Sequence, residues 1–201
     1  MAGAVPPSAT KQSHPAERGS FKVCMLATQY GMSEHGLAAK LNKPVAFARN
    51  LLRQHKETFP TFWRWSQQQV DAAMLLGELQ TVFGWSIKTI GGDNPRSLAN
   101  FPMQANGAEM LRLACSLATE AGITVCCPVH DAIMIEADTD AIAAAVAQTQ
   151  TIMQDAAKIV LDGFTLESDA KVVSWPDRYF DEGRGREMWD RVFKLASEAD
   201  K

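Results

Sequence analysis

The stretch CPVHDAIMIEAD, residues 127–138, places a histidine and an aspartate between two short apolar runs. The runs 123–129 and 132–137 have the length and the β-branched, apolar composition of strands. We therefore predict a β-hairpin with His130 and Asp131 at its turn. Aspartate is common in turns because its side chain bonds its own backbone. A carboxylate held at a hairpin tip is also open to a metal ion, so these twelve residues leave both roles available.

A second pattern places two cations, an aliphatic residue and an aromatic residue at intervals of four. Arg18, Lys22, Leu26 and Tyr30 fall on one face of a helix at that spacing. Two cations followed by an aromatic ring can neutralise phosphates and stack a base. A solvated helix face with one aromatic anchor has the same spacing, and like charges four residues apart repel by about 0.2–0.5 kcal/mol.

A third group combines a cation with two amides. Asn100 and Gln104 stand four apart at the predicted start of a helix, and Arg96 precedes them in a predicted loop. Amides can read base edges or the minor groove, and an arginine can hold a backbone phosphate. The alternative is a capping Asn100 with an exposed Gln104 and a surface Arg96.

The elements that must position these residues follow from periodicity and from proline and glycine. Residues 1–16 are rich in Pro, Ala and Ser and predict a disordered leader. The predicted helices cover residues 17–29, 33–41 with Ser33 as N-cap, 44–58, 60–76 ended by Gly77, 100–121, 140–161 and 185–197. Predicted strands form a hairpin at 79–89 turning near Gly84, the hairpin around His130, and a strand at 165–173. Helices come first and a small antiparallel, helix-backed sheet second, so the fold class is α+β.

Composition sets broad limits. The chain has 201 residues, 46% of them hydrophobic and 21% charged, with a formal net charge of −3, as in an ordinary soluble protein. That charge is not typical of a free-standing nucleic-acid binder, so any basic surface must be local. Four cysteines without a CxxC pair indicate reduced thiols and neither a disulfide framework nor a zinc site. No apolar stretch has membrane-spanning length and no signal peptide is present, so we expect a cytoplasmic protein.

The order of these motifs resembles a known family. The pattern R-x3-K-x7-YG, then T-x2-G, then R-x3-N-x-P-x-Q, then VHDA between two strands resembles the C-terminal part of a family A (DNA polymerase I-like) DNA polymerase. The resemblance runs from Arg18 to about Val192. The closing SWPDRYFDEGRGREMW also resembles the ends of phage- and plasmid-type members. The resemblance to family A as a whole implies, after the disordered leader predicted at 1–16, a fingers-like helical region with a hairpin at 17–92 and a partial palm at 93–201.

The resemblance also implies residue roles in template-directed nucleotide transfer. Arg18 and Lys22 match the cations that hold the triphosphate of the incoming dNTP, with Lys22 in a catalytic role. Leu26 stands where the family usually has the Phe or Tyr that packs against the nucleotide sugar. Tyr30 matches the aromatic residue that occupies the template-base position.

The remaining implied roles concern the DNA and the metal. Arg96, Asn100 and Gln104 match groups that follow the primer-template backbone and minor groove. Asp131 would be a Mg²⁺ ligand, and His130 would lie near the primer end. Two further departures from the family are Trp85, where an Arg is common, and Ala132, where many relatives have Glu.

Half of the expected catalytic metal site is not found in the sequence. Two-metal phosphoryl transfer needs ligands on both ions, and in the family the second aspartate lies well before the fingers helix. Only seventeen residues precede Arg18, and the first sixteen contain no acid. Glu136 and Asp138 lie too far along the hairpin from Asp131, at roughly 3.3 Å per residue, and no family ligand corresponds to Asp169. We therefore expect no polymerase activity from this chain alone and a partner chain that supplies the palm, thumb and exonuclease regions.

Two other functions fit parts of the sequence. A non-catalytic module that binds primer-template or nucleotides would retain the fingers helix with Arg18 and Lys22 and the minor-groove residues Asn100 and Gln104. A metal-dependent phosphohydrolase centred on His130 and Asp131 is disfavoured, because the other histidines, His14, His35 and His55, are scattered along the chain.

Overall fold

The computed structural model describes residues 5–10, 12–89, 94–181 and 183–199. Within these ranges the elements are α1 (Pro15–Gln29), α2 (Glu34–Leu41), α3 (Val45–Thr58), α4 (Pro60–Leu76), β1 (Glu78–Gln80), β2 (Ser86–Lys88), α5 (Pro95–Glu120), β3 (Thr124–Val129), β4 (Ala132–Glu136), α6 (Ile142–Val160) and α7 (Gly185–Ala199). The contacts divide the chain into two compact units, Met1–Arg112 and Leu113–Lys201. This α+β architecture confirms the predicted fold class.

The first three helices of the first unit share one apolar core. Its buried residues are mostly small and come from all three helices: Cys24, Ala27, Leu37, Ala38, Ala48 and Leu51. Helix α2 begins where the sequence predicts, because the Ser33 Oγ accepts the Gly36 amide hydrogen at 3.3 Å. It ends at Asn42, which adopts the left-handed conformation with φ 51°.

A buried histidine holds α3 against α4 and α1. His55 is only 1% exposed, and its Nδ1 accepts the indole hydrogen of Trp63 at 3.1 Å. Its Nε2 lies 2.9 Å from the sulfur of Met25, and the rings of Phe59 and Phe62 pack around it. Burial lowers the pKa of His55, and its acceptor role toward Trp63 requires an unprotonated Nδ1.

The β1–β2 hairpin is bonded to α5 through one buried and one exposed polar contact. The Thr81 hydroxyl donates to the Glu109 carboxylate at 2.7 Å and accepts the Trp85 amide hydrogen at 3.0 Å. The Asn106 side-chain oxygen accepts the Val82 amide hydrogen at 3.1 Å. These bonds fix the turn, which passes through Gly84 as the sequence predicts.

The second unit contains the β3–β4 hairpin, α6 and α7. Strands β3 and β4 are antiparallel from the Thr124–Glu136 pair to the Val129–Ala132 pair, with one irregularity between Val125 and Cys127. Helix α6 buries small side chains, among them Ala156 and Ala157. No helix in the described parts of the chain combines the length and the apolar character needed to cross a bilayer.

Three expectations need correction or restriction. The predicted strand at 165–173 is wrong: this segment forms no strand, and the Ser168 carbonyl instead accepts a bond from the Gln150 side chain of α6 at 2.6 Å. Helix α1 starts at Pro15, two residues before the predicted start. Parts of the predicted leader (residues 1–4 and 11) and of the Gly-Gly loop (90–93) lie outside the described residues.

We expect His55 to make the stability of the protein depend on pH. Its folded-state pKa lies below the ordinary value of 6.5, so the unfolded state binds the proton first as the pH falls. The contribution of unprotonated His55 to the free energy of unfolding should therefore reach its full value above pH 6.5 and decrease as the pH falls below 6.5. Thermal unfolding between pH 8 and pH 5 should show this decrease in the wild type and a smaller one in His55→Phe. The exposed His35→Phe is the control, and a profile unchanged by His55→Phe would contradict the assignment.

We expect Thr81→Val to destabilise the first unit. The change keeps the β-branched shape but removes the hydroxyl, which donates to buried Glu109 and accepts the Trp85 amide hydrogen. Glu109 keeps its pairing with Arg112. Leaving such groups unsatisfied costs about 1–3 kcal/mol, which urea unfolding would measure. Thr58→Val, at an exposed hydroxyl bonded to the Gln54 carbonyl, is the matched control. Equal midpoints for both variants would show that the buried bond contributes nothing.

Candidate functional site

The predicted cationic face exists on α1. Arg18, Lys22 and Leu26 are exposed on one side of the helix, whereas Cys24 and Ala27 on the opposite side are buried in the core. The core therefore fixes the rotation of α1 about its axis and points the two cations away from that core. A cavity of about 370 Å³ beside them is lined by both cations and, from the preceding segment, by residues such as Thr10 and His14.

The end of α1 is bonded to α5. Tyr30 is the last residue of the helical turn, and its amide donates to the Leu26 carbonyl at 3.0 Å. Its ring is 51% exposed, and its hydroxyl accepts a hydrogen bond from the Gln104 side-chain amide at 3.1 Å. The neighbouring Gln29 side chain contacts the Met103 sulfur at 3.6 Å. Two of the predicted motifs, 74 residues apart in sequence, therefore meet at the end of α1.

Gly31 allows this meeting. Its φ is +63°, in the left-handed region, and a β-carbon there would lie 3.0 Å from Cγ of Arg96 and 3.2 Å from Cδ. A side chain at this position would be both strained and in the way of the arginine stem. The Tyr-Gly dipeptide is visible in the sequence, but the role of Gly31 depends on a contact with Arg96 that the sequence does not reveal.

Helix α5 carries Arg96, Asn100 and Gln104 at intervals of four. The helix begins earlier than predicted: the Asn94 side chain accepts the Arg96 amide hydrogen at 3.0 Å and caps a helix whose first residue is Pro95. The expectations that Arg96 lies in a loop and that Asn100 stands at the helix start, with capping as its alternative role, were therefore wrong. The signal for the true start was the Asn-Pro dipeptide, with a capping residue followed by a proline that suits the first turn.

Asn100 is placed in the second turn of α5, where one of its polar atoms lacks a partner. Its Nδ2 donates to the Arg96 carbonyl at 2.9 Å. Its Oδ1 is buried and has no hydrogen-bond partner among the described residues. A buried acceptor without a donor is unfavourable, so this side chain has an unused capacity to accept a hydrogen bond.

His130 and Asp131 form the tip of the β3–β4 hairpin, as predicted. They lie between Val129 and Ala132, the last paired residues, and both are exposed. His130 adopts the left-handed conformation with φ 56°, which a non-glycine residue adopts only in a tight turn or under strain. Asp131 thus presents a carboxylate to solvent from a turn fixed by two strands.

The donors available to a metal ion near this turn are few. Among the described residues, no group of three or more His, Cys, Asp or Glu side chains is arranged to hold a metal ion. Glu136 pairs with Thr124 at the far end of the hairpin, five residues from Asp131 at roughly 3.3 Å per residue. Asp131 fits one ligand position of Mg²⁺, an ion that proteins hold with one or two carboxylates together with substrate phosphates and water.

Comparison with known proteins gives a consistent result. Residues 1–173 match the profile of DNA polymerase family A. The chain is 24% identical over 153 residues to the thermostable DNA polymerase I of Thermus thermophilus, covering 70% of this chain and 18% of the relative. It is 25% identical over 156 residues to DNA polymerase I of Deinococcus radiodurans, covering 71% of this chain and 16% of that protein. The chain therefore spans less than a fifth of the length of these relatives.

A solved structure shares the fold. The POL domain of Pol1 from M. smegmatis, in complex with DNA primer-template and dNTP, superposes with a TM-score of 0.63 at 21% sequence identity. The match covers 76% of this chain and 29% of that chain. Since the family profile matches residues 1–173 of 201, the chain belongs to DNA polymerase family A.

Proposed function

We propose that this chain forms the nucleotide-selecting and primer-positioning part of a template-directed DNA polymerase that transfers nucleotides by a two-metal mechanism. The observation that carries the proposal is the hydrogen bond between Tyr30 and Gln104. It joins the cationic helix α1 to the amide-bearing face of α5, so that a group that stacks on a base and a group that reads DNA stand side by side. The regions correspond to a leader at 1–16, fingers at 17–92 and a partial palm at 93–201.

The incoming dNTP is bound along the exposed face of α1. Arg18 and Lys22 face away from the core, and their charges neutralise the triphosphate through charge-assisted hydrogen bonds. Lys22 also stabilises the charge that develops on the leaving pyrophosphate. Leu26, 41% exposed, contacts the sugar by apolar packing alone, and Tyr30 occupies the template-base position.

The primer-template is bound along α5. Arg96 holds a backbone phosphate, and the amides of Asn100 and Gln104 face the minor groove, where they can donate and accept hydrogen bonds. The primer-template and dNTP bound in the M. smegmatis structure support these partners through likeness of fold.

The chemical step takes place at the β3–β4 turn. Asp131 would hold Mg²⁺, and His130 would lie near the primer end. When bound, the ion would supply charge stabilisation to the attacking and leaving oxygens. The left-handed turn at His130 keeps the Asp131 carboxylate exposed and its backbone fixed.

One carboxylate does not complete a two-metal site. We infer that these 201 residues by themselves do not extend a primer and that polymerase regions outside them contribute the second aspartate together with the remaining palm, the thumb and the exonuclease, in the cytoplasm. A second candidate function is a non-catalytic module that binds primer-template or nucleotide. The exposed cations of α1 and the exposed amide of Gln104 on α5, which could bind these ligands without a metal ion, favour it.

We expect Lys22→Ala to weaken dNTP binding. Hydrogen bonds to charged groups contribute about 1.5–3 kcal/mol, so the dissociation constant for a fluorescent dNTP should rise about tenfold or more. Lys40→Ala removes the same charge from the exposed surface of α2 and should leave it unchanged. If both variants lose affinity equally, binding depends on net charge and not on the α1 face.

We expect primer extension with Mg²⁺ and four dNTPs only when the chain is combined with a polypeptide that carries the remaining polymerase regions. Asp131→Asn should abolish this extension because the amide is a poor ligand for Mg²⁺, whereas Asp138→Asn, beyond the end of β4, should retain it. Extension by the chain alone would refute the inference that regions outside these residues contribute the second aspartate. DNA binding without extension in any combination would establish the non-catalytic module.

A further inference from the structure

Strand β3 contains a one-residue bulge at Cys126. Val125 pairs with Ile135 and Cys127 pairs with Met134, so Cys126 is an extra residue without a partner across the hairpin. An extra residue shifts the strand by one position relative to its partner, and a shift of one exchanges the faces to which the side chains point.

The register shows which side chains share a face. Directly paired residues point to the same side of a hairpin, and consecutive residues of a regular strand point to opposite sides. Val125 and Ile135 therefore lie on one face, and Cys127 and Met134 on the other. Cys126, which follows Val125 directly, points to the same side as Cys127. Val125 and Ile135 are half-buried and Cys126 and Met134 are exposed, as this assignment requires, whereas Cys127 is half-buried on the more exposed face.

The bulge thus creates a pair of neighbouring thiols with a thioether opposite. In a regular strand, consecutive cysteines face apart and cannot bind one ion together. All four cysteines of the chain are free thiols, and Cys126 is the exposed one, with Cys127 partly exposed beside it. By contrast, burial raises the pKa of Cys24 and of Cys115. Thiolate and thioether sulfurs together select soft metal ions over hard ones such as Mg²⁺.

We propose that Cys126, Cys127 and Met134 form a binding site for a thiophilic ion, with the two thiolates as chelating ligands and the thioether as a third. A divalent ion such as Cd²⁺ forms bonds to the two thiolates, whose two protons go to solvent, and a third, dative bond to the thioether, which replaces a water on the ion. With an arsenical oxide, two S–H bonds and the arsenic–oxygen double bond break, two As–S bonds form and one water leaves. No electrons are transferred in either reaction. The site does not depend on the proposed polymerase function.

The test uses phenylarsine oxide and the intact mass of the full folded chain. A chelate should give one adduct that survives excess glutathione and is removed by dithiothreitol, because only a dithiol competes with two sulfurs at once. Cys126→Ser and Cys127→Ser should each lose the resistant adduct, and Cys115→Ser should keep it. Removal by glutathione from the wild type, or persistence in either of the first two variants, would overturn the proposal.

Two further measurements keep the test independent of folding defects. Met134→Leu leaves both thiols in place and should weaken Cd²⁺ binding. The binding is measured by titrating Cd²⁺ and recording the sulfur-to-metal charge-transfer absorbance. A Cd²⁺ affinity unchanged by Met134→Leu would show that the Met134 thioether is not a ligand. In urea the bulge is lost, so the adduct should become sensitive to glutathione. Equal resistance in urea would show that sequence adjacency alone holds the ion, and would overturn the role of the bulge.

Discussion

The arrangement of the first unit depends on the reversal of the chain at Gly31. At this residue the backbone leaves α1 in the left-handed region, and the space where a β-carbon would stand is taken by the stem of Arg96. Because the stem passes there, the start of α5 lies beside the end of α1, within reach of the bond from Gln104 to Tyr30. The core of α1, α2 and α3 then sets which face of α1 remains exposed. Local backbone freedom at one residue therefore helps to determine which side chains of α1 and α5 lie next to each other.

Hydrogen bonds between side chains also hold elements of the first unit in place. The β1–β2 hairpin is only three residues long on each strand, and a short two-stranded hairpin has little stability of its own. Its bonds to Glu109 and Asn106 of α5 supply the missing constraint. His55 acts in the same way between α3 and α4, where an imidazole satisfies the indole hydrogen of Trp63 in an otherwise aromatic environment.

The sequence predicts those features that residues determine locally. Pro60 and Gly77 delimit α4 at the predicted residues, and Ser33 caps α2, because capping and chain reversal depend on a few neighbouring dihedral angles. The start of α5 was also locally encoded, in Asn94 and Pro95, but the later Asn100 offered a competing start. The strand predicted at 165–173 failed for a different reason: strand formation requires a partner that composition does not reveal.

In the candidate site too, the sequence predicts local features but not contacts between residues far apart in the chain. The helical spacing of Arg18, Lys22 and Leu26 is visible in the sequence, whereas the bond between Tyr30 and Gln104 joins residues 74 positions apart. Only the resemblance to a family suggested that these motifs act together. Nothing in the sequence indicated the bulge at Cys126, because a register shift is a property of two strands and not of one.

The backbone conformation of His130 places a cost in stability at the hairpin tip. A non-glycine residue in the left-handed region costs roughly 1–2 kcal/mol, although histidine tolerates it better than a β-branched residue does. Selection for thermal stability alone would therefore favour glycine or asparagine here, and either change would discard the imidazole beside Asp131. A chain that keeps His130 in this conformation retains local strain together with the side chain. Engineering this protein for heat resistance should consequently exclude the turn and choose positions elsewhere in the fold.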